Sequence, residues 1–147
     1  MRITIMCPSH SLGDERVVCR QALAIAQAGH DVLVLGRYDP EKSPPRHPRL
    51  RLEPVGPMTR GASWRARAAK IRALYACYRR ARASSPDLLA AHEPETALLG
   101  LLVSRRLRVP IHFDVHECFD ELLAGRVPPF LAERVKRLSW RALAWIA

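Results

Sequence analysis

Three short polar stretches hold most of the residues able to do chemistry, and each follows directly on an apolar run. The first is Ser9, His10, Ser11, Gly13 and Asp14, after Ile3 to Met6. The second is His92 and Glu93, after Leu88 to Ala91, and the third is His116 and Glu117, after Ile111 to Val115. Hydroxyls, imidazoles and carboxylates mixed in this way offer donors and acceptors together, which is what a hydroxyl-rich ligand requires of its site. Some of the same residues also have structural readings. Asp14 stands where a helix N-cap is wanted, a role worth about 1 kcal/mol without any ligand. Glu93, just before Pro94, is placed to interact with a helix end. His92 and His116 occupy positions where a core residue would be aliphatic, which makes them the better binding candidates.

Spacing excludes several other chemistries. No G-x-G-x-x-G follows the first apolar run, no G-x-x-x-x-G-K-[ST] occurs, and no G-x-S-x-G is present, so dinucleotide, phosphate-loop and nucleophile-elbow signatures are missing. Cys7, Cys19, Cys77 and Cys118 form no C-x-x-C pair and read as free thiols. His112 and His116 lie four apart on an apolar run, and His112 is expected to pack toward a helix. Neither a metal nor a resident cofactor is expected.

The chemistry needs the three stretches side by side, and the order of elements supplies that arrangement. Ile3 to Met6 reads as a buried strand and Cys7 to Asp14 as a turn-prone loop. A helix follows from Glu15, with Val17, Val18, Leu23, Ala24 and Ile25 on one side and Gly29 as its stop. Val32 to Leu35 is the next strand, which makes a βαβ unit with parallel strands and a right-handed crossover. Arg37 to Pro57 is rich in Pro and Arg, with one weak strand marked by Leu50, Leu52 and Val55. Ser63 to Ala83 is a long helix whose apolar face is expected to carry Trp64, Ile71, Leu74, Tyr75 and Tyr78. A strand from Leu88 to Ala91, a helix from Pro94 to near Leu107, a strand from Ile111 to Val115 and a last helix from Pro128 complete the chain. The expected class is α/β: a Rossmann-like, doubly wound, mainly parallel sheet of about five strands, where ligands bind beyond the carboxyl ends of the strands.

Charge adds a second theme. The chain carries 24 Lys and Arg against 14 Asp and Glu, a formal charge of +10, and the whole excess lies in residues 37–83. Arg65, Arg67, Lys70, Arg72, Arg79 and Arg80 fringe the long helix. An anionic membrane surface is one partner for such a helix. Nucleic acid is disfavoured, because helix-turn-helix, zinc-framework and base-stacking patterns are all missing. A non-catalytic basic interaction module is the alternative from another class. No run reaches the roughly 20 apolar residues of a membrane span, and the start lacks a signal-peptide core. The expected location is cytoplasmic, with peripheral attachment at the inner face of the membrane.

Three segments in register resemble one family. GDERVVCRQALAIAQAGHDVLVLG (Gly13 to Gly36), DLLAAHEPETALLGLL (Asp87 to Leu102) and VPIHFDVHECFDEL (Val109 to Leu122) are similar to the first βαβ unit, the fourth strand with its helix, and the fifth strand of family-four, GT-B type glycosyltransferases. The resemblance implies an enzyme of two Rossmann-like domains, with the acceptor, a glycan or lipid-linked sugar, on the first and a nucleotide-diphosphate sugar on the second. It implies that His116 reaches the transferred sugar as the catalytic residue, and that His92, Glu93 and Glu117 line the acceptor side. It places Ser9, Ser11, Gly13 and Asp14 in a loop near the donor phosphates. Many relatives have a Gly-Gly pair in that loop, whereas this chain has Gly13 alone. The last helix presents an apolar face with no strand after it. The expectation is therefore that the nucleotide-sugar domain is absent from these 147 residues, and that they are catalytically silent alone.

Overall fold

The spine of the fold is β1 (Arg2–Ser11), whose side chains from Ile3 to Cys7 are all buried because helices cover both faces of its sheet. The computed structural model describes residues 1–59, 61, 63–114, 128, 131, 133, 134 and 137. After β1 comes α1, π-helical over Glu15–Ala22 and α-helical over Leu23–Gln27, and then β2 (Asp31–Tyr38) and β3 (Leu50–Pro57). The chain continues through α2 (Trp64–Ala83), β4 (Leu88–His92), α3 (Pro94–Leu107) and β5 (Ile111–Asp114). The sheet order is β3-β2-β1-β4-β5, and every neighbouring pair is parallel. On one face Val17, Val18, Ala22 and Ala26 of α1 pack against Ile3, Ile5, Val32 and Val34. On the other, Ala73, Cys77 and Ala81 of α2 and Val103 of α3 pack against Met6, Leu35 and Leu89. The Rossmann-like α/β class expected from the sequence is thus the observed one.

Asp14 does cap α1. Its Oδ1 accepts from Arg16 N at 3.1 Å and Val17 N at 2.9 Å. Its carbonyl is shared by Val18 N at 3.0 Å and Cys19 N at 3.1 Å, and the longer of these two connections starts the wide first turns. The buried thiols of Cys7 and Cys77 behave as small apolar groups, and burial pushes Cys77 up to about 12.

Three expectations need correction. The stretch after Met6, expected to be a loop, continues as strand to Ser11. Pairing of β1 with β2 runs to Met6↔Leu35 and resumes at Ser11↔Arg37, so residues 7–10 stand against Gly36 alone. A Cβ on Gly36 would meet Leu12 Cδ2 at 2.9 Å and the His10 carbonyl at 3.3 Å. Its bare backbone makes room for the bulge, and Pro8 sits where no ladder donor is required.

The second correction concerns α2, which packs by its small residues. Ala73, Cys77 and Ala81 recur at every fourth position and are buried, while Trp64, Ile71 and Tyr75 are 74%, 67% and 61% exposed. Leu74 and Tyr78 are half-buried. The narrow stripe lets the helix lie close to the sheet and turns its bulky residues outward. Third, His112 lies exposed on β5, at the edge of the described sheet, rather than against a helix. The expected helix from Pro128 falls almost wholly outside the described residues.

Candidate functional site

Parallel pairing aligns the carboxyl ends of β1 and β4, and β1 outruns its neighbour there. Pairing between the two ends at Met6↔Ala91, so Ser9 and His10 extend past the end of that pairing, beside the turn at Glu93. His10 bridges that edge. Its Nε2 lies 2.9 Å from Glu93 Oε1, and its Nδ1 lies 3.3 Å from Asp14 Oδ2. The hydrogen bond to Glu93 raises the His10 pKa; burial opposes this, and the charge of Asp14 adds to it. For Asp14, burial pulls the carboxyl upward. The Val17 amide, the His10 charge and the Arg16 amide outweigh that pull and hold it below its ordinary value.

Glu93 is held in an unusual conformation. With φ 74° and ψ 144° it occupies a region that L-residues rarely enter, and such backbones cost on the order of 1–3 kcal/mol. Pro94 bars the right-handed helical conformation to the residue before it. The Glu93 carbonyl accepts from Thr96 N and Ala97 N, both at 3.1 Å, and from Thr96 Oγ1 at 2.8 Å, which fixes the start of α3. The Glu93 carboxylate does not cap that helix and turns to His10 instead.

A second carboxylate ties in α2. Glu95 Oε1 accepts from Ser9 Oγ at 3.1 Å and pairs with Lys70 Nζ at 2.6 Å. The rim therefore joins β1, the start of α1, the β4–α3 turn and α2. Hydroxyl, imidazole and carboxylate groups in that array can bind and orient a polyhydroxylated molecule.

The residues expected to contribute do so unequally. Ser9, Asp14 and Glu93 come together, with His10 between Asp14 and Glu93. Ser11 is buried, and its Oγ accepts from Gly13 N at 3.0 Å, so its hydroxyl closes a turn. Gly13 allows a close passage, since a Cβ there would lie 2.6 Å from Lys42 Cβ. These two residues of the expected donor-phosphate loop thus have structural work, because that segment is bulged strand and turn. His92 is 0% exposed and lies behind the rim, its Nδ1 at an ion-pair distance of 3.3 Å from Asp114 Oδ2 on β5. His116 and Glu117 lie outside the described residues.

Two further residues of this edge have no role implied by the resemblance. The local signal for His10 is the i,i+4 spacing to Asp14, but Glu93, its nearer partner, is 83 residues away. Arg37, the residue after the apolar run of β2, is buried at the same edge. On α2, Arg65, Arg67, Lys70, Arg72, Arg79 and Arg80 are all exposed. No group of three or more metal-binding side chains among the described residues is arranged to hold a metal ion. No described helix is long and apolar enough to cross a membrane.

Residues 13–147 match the family model of Glycosyltransferase Family 4. The chain belongs to glycosyltransferase family 4. No curated protein sequence matches it. Among solved structures it is similar to the C-terminal domain of a hydrogenase from Pyrococcus furiosus. That likeness has 16% identity, 78% coverage of this chain, 91% coverage of the other and a TM-score of 0.47, a match too loose to carry any argument.

In this family 4 domain the His10 bridge makes stability pH-dependent in a defined direction. Because folding raises the His10 pKa, its contribution is complete below the ordinary value of 6.5 and is lost as pH rises through the folded value. Asp14 acts oppositely: its contribution is present above 3.8 and is lost as pH falls through its lowered value. NMR titration of the His10 ring is expected to give a midpoint above 6.5, and His10→Gln is expected to flatten the loss of stability between neutral and mildly alkaline pH. A midpoint at or below 6.5 would contradict the bridge.

Proposed function

We propose that this chain is the acceptor-side domain of an enzyme that transfers a sugar from a nucleotide-diphosphate sugar to a glycan or lipid-linked acceptor. The observation that carries the reading is the rim where His10 joins Asp14 to Glu93, at the carboxyl ends of β1 and β4. Carboxylates there accept hydrogen bonds from sugar hydroxyls, and the hydrogen bond from His10 orients Glu93. In the transfer, the acceptor oxygen bonds to the anomeric carbon while the bond from that carbon to phosphate oxygen breaks. The diphosphate leaves with the electron pair, and the hydroxyl proton passes to a base. A second domain holds the donor, where helix N-termini and cations stabilise the departing charge. On this reading the first domain positions the acceptor, His92 buttresses the rim from behind, and the 147 residues alone transfer no sugar.

His116, which follows β5 in the chain, is proposed to reach the transferred sugar, with Glu117 beside the acceptor. In the enzyme carrying both domains, Glu93→Gln is expected to lower kcat/KM for the acceptor by about tenfold or more, the weight of a hydrogen bond to a charged group. His116→Ala is expected to abolish transfer without unfolding the domain. Normal turnover in both variants would remove the site.

A second reading concerns location. The outer face of α2 presents Trp64, Ile71 and Tyr75 to solvent, and its twenty residues include no acid. Arg65 stacks over Trp64 with its guanidinium 5.5 Å from the ring centre. Exposed rings and an aliphatic side chain fringed by arginines suit peripheral attachment to an anionic membrane. There each basic residue near the surface contributes on the order of 1 kcal/mol. Co-sedimentation with vesicles containing anionic phospholipid is expected to retain the chain, and replacing Trp64, Ile71 and Tyr75 by Ser is expected to release it. Equal retention on zwitterionic vesicles, or none on either, would refute attachment.

A further inference from the structure

Beside the rim, between the end of β1 and the start of α2, lies a cavity of about 230 Å³ whose walls include Ser9, Arg37, Thr59, Gly61, Arg67 and Lys70. Three of those side chains are cationic. Arg67 and Lys70 stand one turn apart on α2, so both reach the same side of the helix. Arg37 comes from β2 and is only 4% exposed. Its Nε donates to Pro8 O at 2.7 Å, and its Nη1 donates to Thr59 Oγ1 at 2.7 Å and Pro57 O at 3.5 Å. All three partners are neutral oxygens. They fix the direction of the guanidinium, and among the described residues no carboxylate bonds to it, an expensive state for a buried ion unless an anion completes the site.

The carboxylate at the margin is Glu95, which occupies Lys70 and Ser9. Among the described residues, three cationic side chains line the cavity against the one carboxylate of Glu95, and with the hydroxyls of Ser9 and Thr59 beside them they select an oxyanion that takes several hydrogen bonds at once. The volume is below the roughly 300 Å³ at which pockets begin to enclose a whole small ligand. The cavity therefore suits one charged group of a larger molecule.

We infer that this cavity binds a phosphoryl oxyanion, with Arg37, Arg67 and Lys70 as its cationic ligands and Ser9 and Thr59 as hydroxyl partners. The group belongs either to a phosphorylated acceptor or to the diphosphate of the donor. That it is part of a transfer substrate rests on the sugar-transfer reading, whereas the binding of phosphate does not. When the anion binds, it displaces Glu95 from Lys70.

The test is a titration of the isotopically labelled chain with inorganic phosphate, followed through the backbone amides of Thr59, Gly61, Ala66 and Arg67. Saturable shifts confined to these amides are expected. Arg67→Ala with Lys70→Ala should weaken binding by about tenfold or more, as loss of charge-assisted hydrogen bonds requires. The pair Arg72→Ala and Arg79→Ala removes the same charge from elsewhere on α2 and should leave binding unchanged. Glu95→Gln should tighten it. Shifts that never saturate, or equal weakening by both pairs, would overturn the site. The two sources separate by affinity: a sugar 6-phosphate that outbinds a nucleoside diphosphate assigns the group to the acceptor, and the reverse assigns it to the donor. A chain that binds no phosphate while the two-domain enzyme still transfers sugar sinks the phosphate site alone. Phosphate binding intact in an enzyme inactive toward every sugar nucleotide sinks the transfer reading alone.

Discussion

The arrangement depends on one constraint, the parallel pairing of β1 between β2 and β4. Hydrogen bonding on both sides sets its register, Ile3 to Met6 opposite Leu88 to Ala91 on one flank and Arg2 to Met6 opposite Asp31 to Leu35 on the other. Once that register is set, whatever follows Met6 must emerge at the carboxyl edge beside whatever follows Ala91. A slip of one residue would exchange the two faces of β1 and shift Ser9 and His10 away from the turn at Glu93. The bulge against Gly36 then decides how far β1 reaches. It carries Ser9 and His10 beyond the last pair with β4 and into contact with the turn that opens α3.

Much of this was legible in the residues. Apolar runs of four or five, separated by helix-period segments and stopped by Gly29 or opened by Pro94, identify a βαβ framework because covered parallel strands must be apolar on both faces. The extent of β1 was not legible. Pro8, Ser9, Ser11 and Gly13 are turn formers by local preference. What keeps the chain extended is tertiary: the missing side chain of Gly36, and the Arg37 guanidinium on the Pro8 carbonyl. The facing of α2 differs from the expected one for a related reason. Its sequence offers two stripes at helical spacing, one bulky and one of Ala and Cys, and hydrophobicity favours the bulky one. The sheet takes the small stripe because close approach buries more backbone than large side chains would allow.

The same ambiguity hid the center of the rim. Ser9, His10, Asp14 and Glu93 are visible as polar residues at strand ends, yet the i,i+4 spacing to Asp14 is too common to set His10 above the others, and its nearer partner is a carboxylate far along the chain. The strain at Glu93 is invisible in sequence as well. A residue held in a costly conformation, and bonded through its side chain to another element, is pre-organised. Its carboxylate is held on His10, already deprived of the freedom that binding would otherwise cost.

Charge follows the same geometry, with α2 as the boundary between two surfaces. Its buried edge and first turns bring Lys70 and Arg67 toward the rim and the cavity beside it, while its outer face holds Trp64, Ile71 and Tyr75 among the other arginines. Both surfaces rely on β1 and β4 meeting at one edge, and a double-mutant cycle between His10→Gln and Glu93→Gln, read by urea unfolding near pH 6, tests this directly. A coupling of about 1 kcal/mol or more that shrinks above the folded pKa of His10 is expected. Additivity within about 0.3 kcal/mol would mean that the two strand ends do not meet, and the rim would have no basis.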